Sequence, residues 1–242
     1  MTFYECSALT SVVLPNSITA LDFCAFDKSG LLSIVLPNSI TSLGASVFCD
    51  CTHLSTITLS NSITAIGDHS FRRSGLTSIV LPNSITSLGE YMFSDCTQLS
   101  TITLSNSLTA IGDDTFRESG LLSIELPNSI TSLGDGVFYG CTQLESITLS
   151  NSITSIGDEA FSACRRLSSI LIPDSAIVQN NAFIECDVLE AKSLLVYQET
   201  MENEPAAQRR RFEIEEGHLN SPLAYRMITA FEMWRGFVCF YI

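Results

Sequence analysis

Between Leu31 and Leu36 the chain reads L-x-x-I-x-L, so apolar and polar positions alternate. A period of two is the mark of a short strand with one buried face, which turns Ile34 and Leu36 inward and Ser33 and Val35 outward. Pro37-Asn38-Ser39 follows, a turn built from residues that fix φ or hydrogen-bond their own backbone. Ile40 and Leu43 return to the apolar side, and Gly44 permits a turn that a Cβ would hinder. Phe48 then supplies a large interior filler. The segment Leu31 to Phe48 therefore predicts one closed coil: strand, turn, second apolar contact, tight turn, aromatic plug.

The same pattern recurs along most of the chain. Phe3, Phe26, Phe48, Phe71, Phe93, Phe116, Phe138, Phe161 and Phe183 are spaced alternately by 23 and 22 residues. Leu9, Leu31, Leu54, Leu76, Leu99, Leu121, Leu144, Leu167 and Leu189 open the units in phase with them. Two ladders in phase mark a repeat architecture. Stacked coils place like over like at the strand spacing of about 4.8 Å, so eight coils would run roughly 35–40 Å. Each coil's apolar face can be covered only by its neighbours, which shares stability between adjacent units.

The unit resembles the BspA-like leucine-rich repeat. The resemblance is carried, for example, by Leu76-Thr77-Ser78-Ile79-Val80-Leu81-Pro82, then Ile85-Thr86-Ser87-Leu88-Gly89, then Phe93 and Cys96. It covers about Phe3 to Val188. It implies a mainly β, right-handed solenoid with one parallel sheet and short helical or irregular turns elsewhere. It also implies recognition or adhesion in general, and no shared chemistry.

A longer period lies on top. Residues 54–98 and 99–143 are near copies, differing at 63, 69, 70, 73, 77, 80, 90, 91, 92, 94 and 95 and their counterparts. Leu54, Ile57, Leu59, Ile66 and Phe71, all expected to face inward, are unchanged in the second copy. The differing positions, Ile63/Leu108 apart, are expected to face solvent.

The repeat starts in the tail of a coil at Phe3 to Cys6, with no polar capping segment before it. An unpaired strand edge is expected near Val12 to Leu14, and with it self-association through this end. That start suggests a longer natural protein or a truncated gene product. The solenoid is expected over residues 1–188 and a helical cap or extension over 189–242. There Pro205 and Gly217 bracket one candidate helix, and Ser221-Pro222 opens another carrying Ala224, Met227, Ile228, Phe231, Trp234 and Val238 at helical spacing.

Charge narrows the function classes. The net charge is −14, with 18 acidic against 6 basic residues up to Val188. Nucleic-acid binding needs a basic footprint, and so does attraction to anionic membranes, so neither is expected. Signal-peptide pattern, membrane span and Asn-x-Ser/Thr sequon are not seen. That favours the cytoplasm while leaving the compartment open.

Candidate chemistry is sparse, and no enzyme activity and no cofactor is expected. Cys6, Cys51, Cys96, Cys141, Cys164 and Cys186 share one repeat position with Ser29, Ser74 and Ser119. A slot shared by Ser and Cys is a small buried site, so the thiols are expected to be reduced and structural. Cys49-x-Cys51-x-His53 is metal-like but lacks a second ligand pair, and no metal is expected there. His53, His69 and His218 are scattered, and Arg209-Arg210-Arg211 reads as a solvated face.

The outward strand positions form one broad surface. Its candidate binding residues are Val35, Thr56, Thr58, Val80, Thr101, Thr103, Glu125 and Thr148. The face is β-branched, nearly neutral and free of aromatics. Ser and Val in alternate coils break the Thr-x-Thr lattice that ice binding would need. The expected function is a non-enzymatic scaffold binding a protein partner through this sheet face or its flanking turns. The alternative is an adhesion or recognition module of a longer extracellular protein.

Overall fold

The computed structural model describes residues 2–173 and 176–186. The expected helices after Leu189 lie outside the described residues.

Numbered along the chain, six three-residue strands build the ladder expected from L-x-x-I-x-L. They are β2 (Ser33–Val35), β4 (Thr56–Thr58), β6 (Ser78–Val80), β8 (Thr101–Thr103), β10 (Ser123–Glu125) and β12 (Ser146–Thr148). All pairings are parallel, with Ser33 opposite Thr56 and Val35 opposite Thr58 in the first of them. Alternation holds as read: Ile34 and Leu36 are buried, whereas Val35 is 68% exposed.

A second ladder was not foreseen. It consists of β1 (Ala20–Leu21), β3 (Ser42–Leu43), β5 (Ala65–Ile66), β7 (Ser87–Leu88), β9 (Ala110–Ile111), β11 (Ser132–Leu133), β13 (Ser155–Ile156) and β14 (Ile177–Val178). Its strands have two residues each and pair in parallel, Leu43 opposite Ile66 for example. Two residues leave no alternation to read, so Ile40 and Leu43 predict only an apolar contact ahead of the Gly44 turn.

The alternation of 22- and 23-residue coils has a structural consequence. The first ladder is continuous across 23-residue steps, as β2–β4, β6–β8 and β10–β12. Across the 22-residue step from β4 to β6 it keeps the Thr77 N–H bond to the Ser55 carbonyl at 3.3 Å. Up to Leu144, longer coils end Cys-Thr-x and shorter ones end Ser-Gly. Glycine is required at that short corner: a Cβ on Gly75 would lie 2.3 Å from the Thr52 carbonyl oxygen.

The interior is a column of rings. Successive phenylalanines from Phe3 to Phe183 stack nearly parallel, with centroids from 5.0 Å (Phe3–Phe26) to 5.8 Å (Phe48–Phe71). Phe26 to Phe161 are fully buried, as are Leu31, Leu54, Leu76 and Leu99.

The third side of each coil is neither helix nor strand among the described residues. Two backbone positions in it take left-handed φ in coil after coil: Cys24, Ser46, His69, Tyr91, Asp114 and Glu159 in one column, Lys28, Asp50, Arg73, Asp95, Glu118, Ala163 and Glu185 in the other. Gly136 and Gly140 occupy the same columns. Every second N–H of this run points along the stack: Cys24, Phe26 and Lys28 donate to the carbonyls of Ala45, Val47 and Cys49 on the next coil. These bonds satisfy the backbone of a non-helical segment, and they hold the coil in a conformation that L-residues otherwise avoid.

The first coil departs from expectation. No strand forms near Val12 to Leu14; the ladder starts at Ser33. Leu9, Val12, Leu14 and Ile18 are half-buried, whereas their counterparts Leu31, Ile34, Leu36 and Ile40 are buried. The Leu32 N–H bond to the Thr10 carbonyl at 3.1 Å joins this coil to the next, as at the other 22-residue steps.

Candidate recognition faces

The sheet face is where the outward positions predicted it. Val35, Thr56, Thr58, Val80, Thr101, Thr103, Glu125 and Thr148 are all exposed. Each side chain stands on a parallel ladder, so these residues form rows. Val13, Val35, Val80 and Leu171 are between 68% and 94% exposed. Among the eight candidates Glu125 alone carries charge.

A second surface was missed. The third side of each coil, which we call the corner run, spans residues 23–28, 45–50, 68–73, 90–95, 113–118, 135–140 and 158–163. It displays the aromatics and arginines that the sheet lacks. The His69 and Tyr91 rings stack at 5.1 Å. The Arg72 guanidinium lies 6.0 Å from the Tyr91 centroid, and that of Arg117 lies 4.0 Å from the Tyr139 centroid. Arg117 also pairs with Asp114 at 3.2 Å, and Arg72 and Arg73 meet Asp95 at 3.4 and 3.6 Å. Hydrogen bonding to Asp114 raises the Tyr91 phenol above its ordinary pKa. Arginines held over rings and between carboxylates have already lost rotamer freedom, which favours ordered contacts.

The near-copy comparison now reads differently. Eight of the eleven differing positions, 69, 70, 73, 90, 91, 92, 94 and 95, fall in the corner run. Solvent exposure is not the common factor. Ser70, Thr115, Met92 and Val137 are fully buried. The Ser70 hydroxyl donates to the Gly44 and Gly67 carbonyls at 2.9 and 2.6 Å, and Thr115 does the same to Gly89 and Gly112 at 2.9 and 2.7 Å. These buried pairs exchanged like for like, keeping the hydroxyl or the apolar volume. The corner run holds most of the variation between the copies, but its side chains follow no regular period, which makes it read as solvent-facing.

The shared Ser/Cys slot has a specific task. The thiols of Cys51, Cys96 and Cys141 donate to the carbonyls of Phe26, Phe71 and Phe116 at 3.0, 2.9 and 3.0 Å. Ser29, Ser74 and Ser119 lie 3.3–3.4 Å from those sulfurs. Burial pushes the Cys96 and Cys141 thiols up to about 11. Such thiols are protonated at neutral pH and poor nucleophiles.

Cys49, Cys51 and His53 are not brought together as ligands. Cys51 is buried against Phe26, His53 is exposed, and the Cys49 sulfur lies 3.6 Å from an Asp50 carboxylate oxygen. Asp50, between the two cysteines, has a left-handed φ of 53°, so the C-x-C pair does not lie along one extended face. His218 and Arg209–Arg211 lie outside the described residues.

The BspA-type leucine-rich repeat region profile matches residues 1–82 and 64–190, in 6 copies. The chain belongs to the BspA-type leucine-rich repeat family. A Treponema pallidum (T. pallidum) leucine-rich repeat protein is 32% identical over 64% of this chain and 77% of its own, with a TM-score of 0.59. A leucine-rich repeat protein from Bacteroides ovatus is 26% identical over 78% of this chain and 61% of its own, at a TM-score of 0.58. One from Eubacterium ventriosum, 24% identical with a TM-score of 0.55, shares the fold. No curated protein sequence matches the chain. Leucine-rich repeat proteins generally mediate protein interaction or surface recognition, and solenoids of the BspA type are typically non-catalytic.

Proposed function

We propose that this BspA-type repeat is a non-enzymatic protein-recognition scaffold whose specific contacts come from the corner runs. The observation that carries the reading is the concentration of copy-to-copy differences at positions around Arg72, Tyr91, Arg117 and Tyr139. Interface energy concentrates on Tyr, Trp and Arg anchors. The sheet face from Val35 to Thr148 has area but no such anchor, and supplies weaker, accessory contact.

The test uses a displayed library of folded protein domains selected on the native chain. The variant Tyr91→Ala/Arg117→Ala/Tyr139→Ala should weaken the selected binders at least about 100-fold. Thr58→Lys/Val80→Lys/Thr103→Lys should change them less than about 10-fold. The reverse pattern would move recognition to the sheet.

The half-buried apolar residues of the first coil, Leu9, Val12, Leu14 and Ile18, support a second kind of partner: another copy of this chain. The charge of −14 opposes that association, so it should strengthen as salt screens repulsion. Light scattering across a salt series checks this; a strict monomer at high salt and high concentration refutes it.

A further inference from the structure

Where the first two coils meet, the corner run changes character. Asp27 lies 18 residues after Leu9 and Cys49 lies 18 after Leu31, so the two stack on successive coils. One ligand atom from each of Asp27, Cys49 and Asp50 lies within 4.8 Å of the other two. Among the described residues this is the one such group of three. In later coils the same position carries Arg72, Ser94, Arg117, Tyr139 and Ser162, none of them an acid or a thiol.

The group contains an unexplained buried atom. Asp27 is only 8% exposed, and its Oδ1 has no hydrogen-bond partner. A buried carboxylate oxygen left bare is expensive and calls for a reason. Asp50 does not relieve it, since its own carboxylate adds like charge. Cys24 stands beside the group: the Asp27 N–H bonds its carbonyl at 3.4 Å, and its buried thiol feels the Asp27 carboxylate. The cluster is therefore two carboxylates and one sulfur, on two tight turns held by inter-coil hydrogen bonds.

We propose that Asp27, Cys49 and Asp50, with a water molecule in the fourth position, form a binding site for a thiophilic divalent cation of the zinc class. Mixed sulfur and carboxylate donors in a four-ligand set suit zinc, whereas calcium and magnesium take oxygen ligands. On binding, Cys49 forms the metal–sulfur bond and releases its thiol proton to solvent. The hydrogen bond from that thiol to Asp50 is replaced by coordination, and Asp50 keeps its ion pair with Arg73 at 3.6 Å through Oδ1. The cation supplies the partner that Asp27 Oδ1 lacks and screens Asp27 from Asp50. Ligand atoms must close to about 3.5 Å apart, a shift within reach of side-chain rotation.

Calorimetric titration of the full chain with zinc, after chelator treatment, tests the site. One equivalent should bind, with a Kd of micromolar or tighter. Cobalt(II) used as a second probe should give a thiolate-to-metal charge-transfer band. Asp27→Asn and Cys49→Ser should each weaken zinc at least 10-fold and reduce the cobalt band. Cys141→Ser, which alters a buried thiol elsewhere, should leave both unchanged. Circular dichroism confirms folding of each variant, and Asp50→Asn replaces any that unfolds. The proposal is overturned by absence of stoichiometric zinc binding, by binding insensitive to Asp27→Asn and Cys49→Ser, or by equal binding of calcium.

Discussion

The sheet face and the corner run are built on the same coils, yet they differ in kind. On the sheet, parallel register stacks Ser over Thr or Ser, and Val or Glu over Thr, so small and β-branched residues fill most of each row. On the corner, coil after coil keeps the backbone conformation while the side chains change from Cys24 to Ser46, His69, Tyr91 and Asp114. The sheet backbone is satisfied by strands that almost any β-former can occupy. The corner backbone is satisfied by inter-coil bonds from alternating left- and right-handed residues, which demand φ but not identity. A fixed backbone with free side chains is how a repeat protein acquires a specific surface. The ring column between the two faces must stay invariant, because each phenylalanine packs on the next.

The sharpest challenge to this division is Phe93→Ala. If the ring column is the shared support, chemical denaturation should show a loss of about 3–5 kcal/mol. A loss well under about 1 kcal/mol would remove Phe93 from the core. Gly75→Ala follows, at about 2–3 kcal/mol, since its Cβ would meet the Thr52 carbonyl at 2.3 Å. A neutral result by the same assay would mean that the short-coil corner can shift as a unit.

The corner's own backbone is probed by Ala163→Gly. Ala163 has φ of 60° and brings no long side chain. Relief of the left-handed penalty, less the extra chain entropy of glycine, should raise stability by about 0.5–1 kcal/mol. Thermal unfolding with an unchanged or lowered midpoint would contradict the strain. Smallest of all should be Val80→Thr, which makes a 68% exposed sheet position resemble its neighbours. Its effect should stay within about 0.5 kcal/mol; a larger one would show that the sheet face packs against something.

Much of this was legible in the chain. Leu31, Ile34, Leu36, Ile40, Leu43 and Phe48 were assigned inward from spacing, and all are buried. The eight sheet-face residues were assigned outward, and all are exposed. The second ladder was not legible, because Ser42–Leu43 is too short to show a period. Corner anchors such as Tyr91 and Tyr139 are not legible, because they recur in no register and look like solvent variation. Sequence spacing groups Cys49 with Cys51 and His53, whereas its neighbour across the coils is Asp27.

The sequence alone determined which residues stack and how many lie between them, because a repeat of 22 or 23 residues leaves one way to cover each apolar face. Only the tertiary structure decided what meets across the coils. The thiol of Cys51 against the Phe26 carbonyl, Arg117 over Tyr139 and Asp27 beside Cys49 are contacts between residues more than 20 positions apart. Such contacts depend on coil pitch and on the handedness of each corner residue. Backbone hydrogen bonding between coils sets both, and no pattern within a single coil contains them.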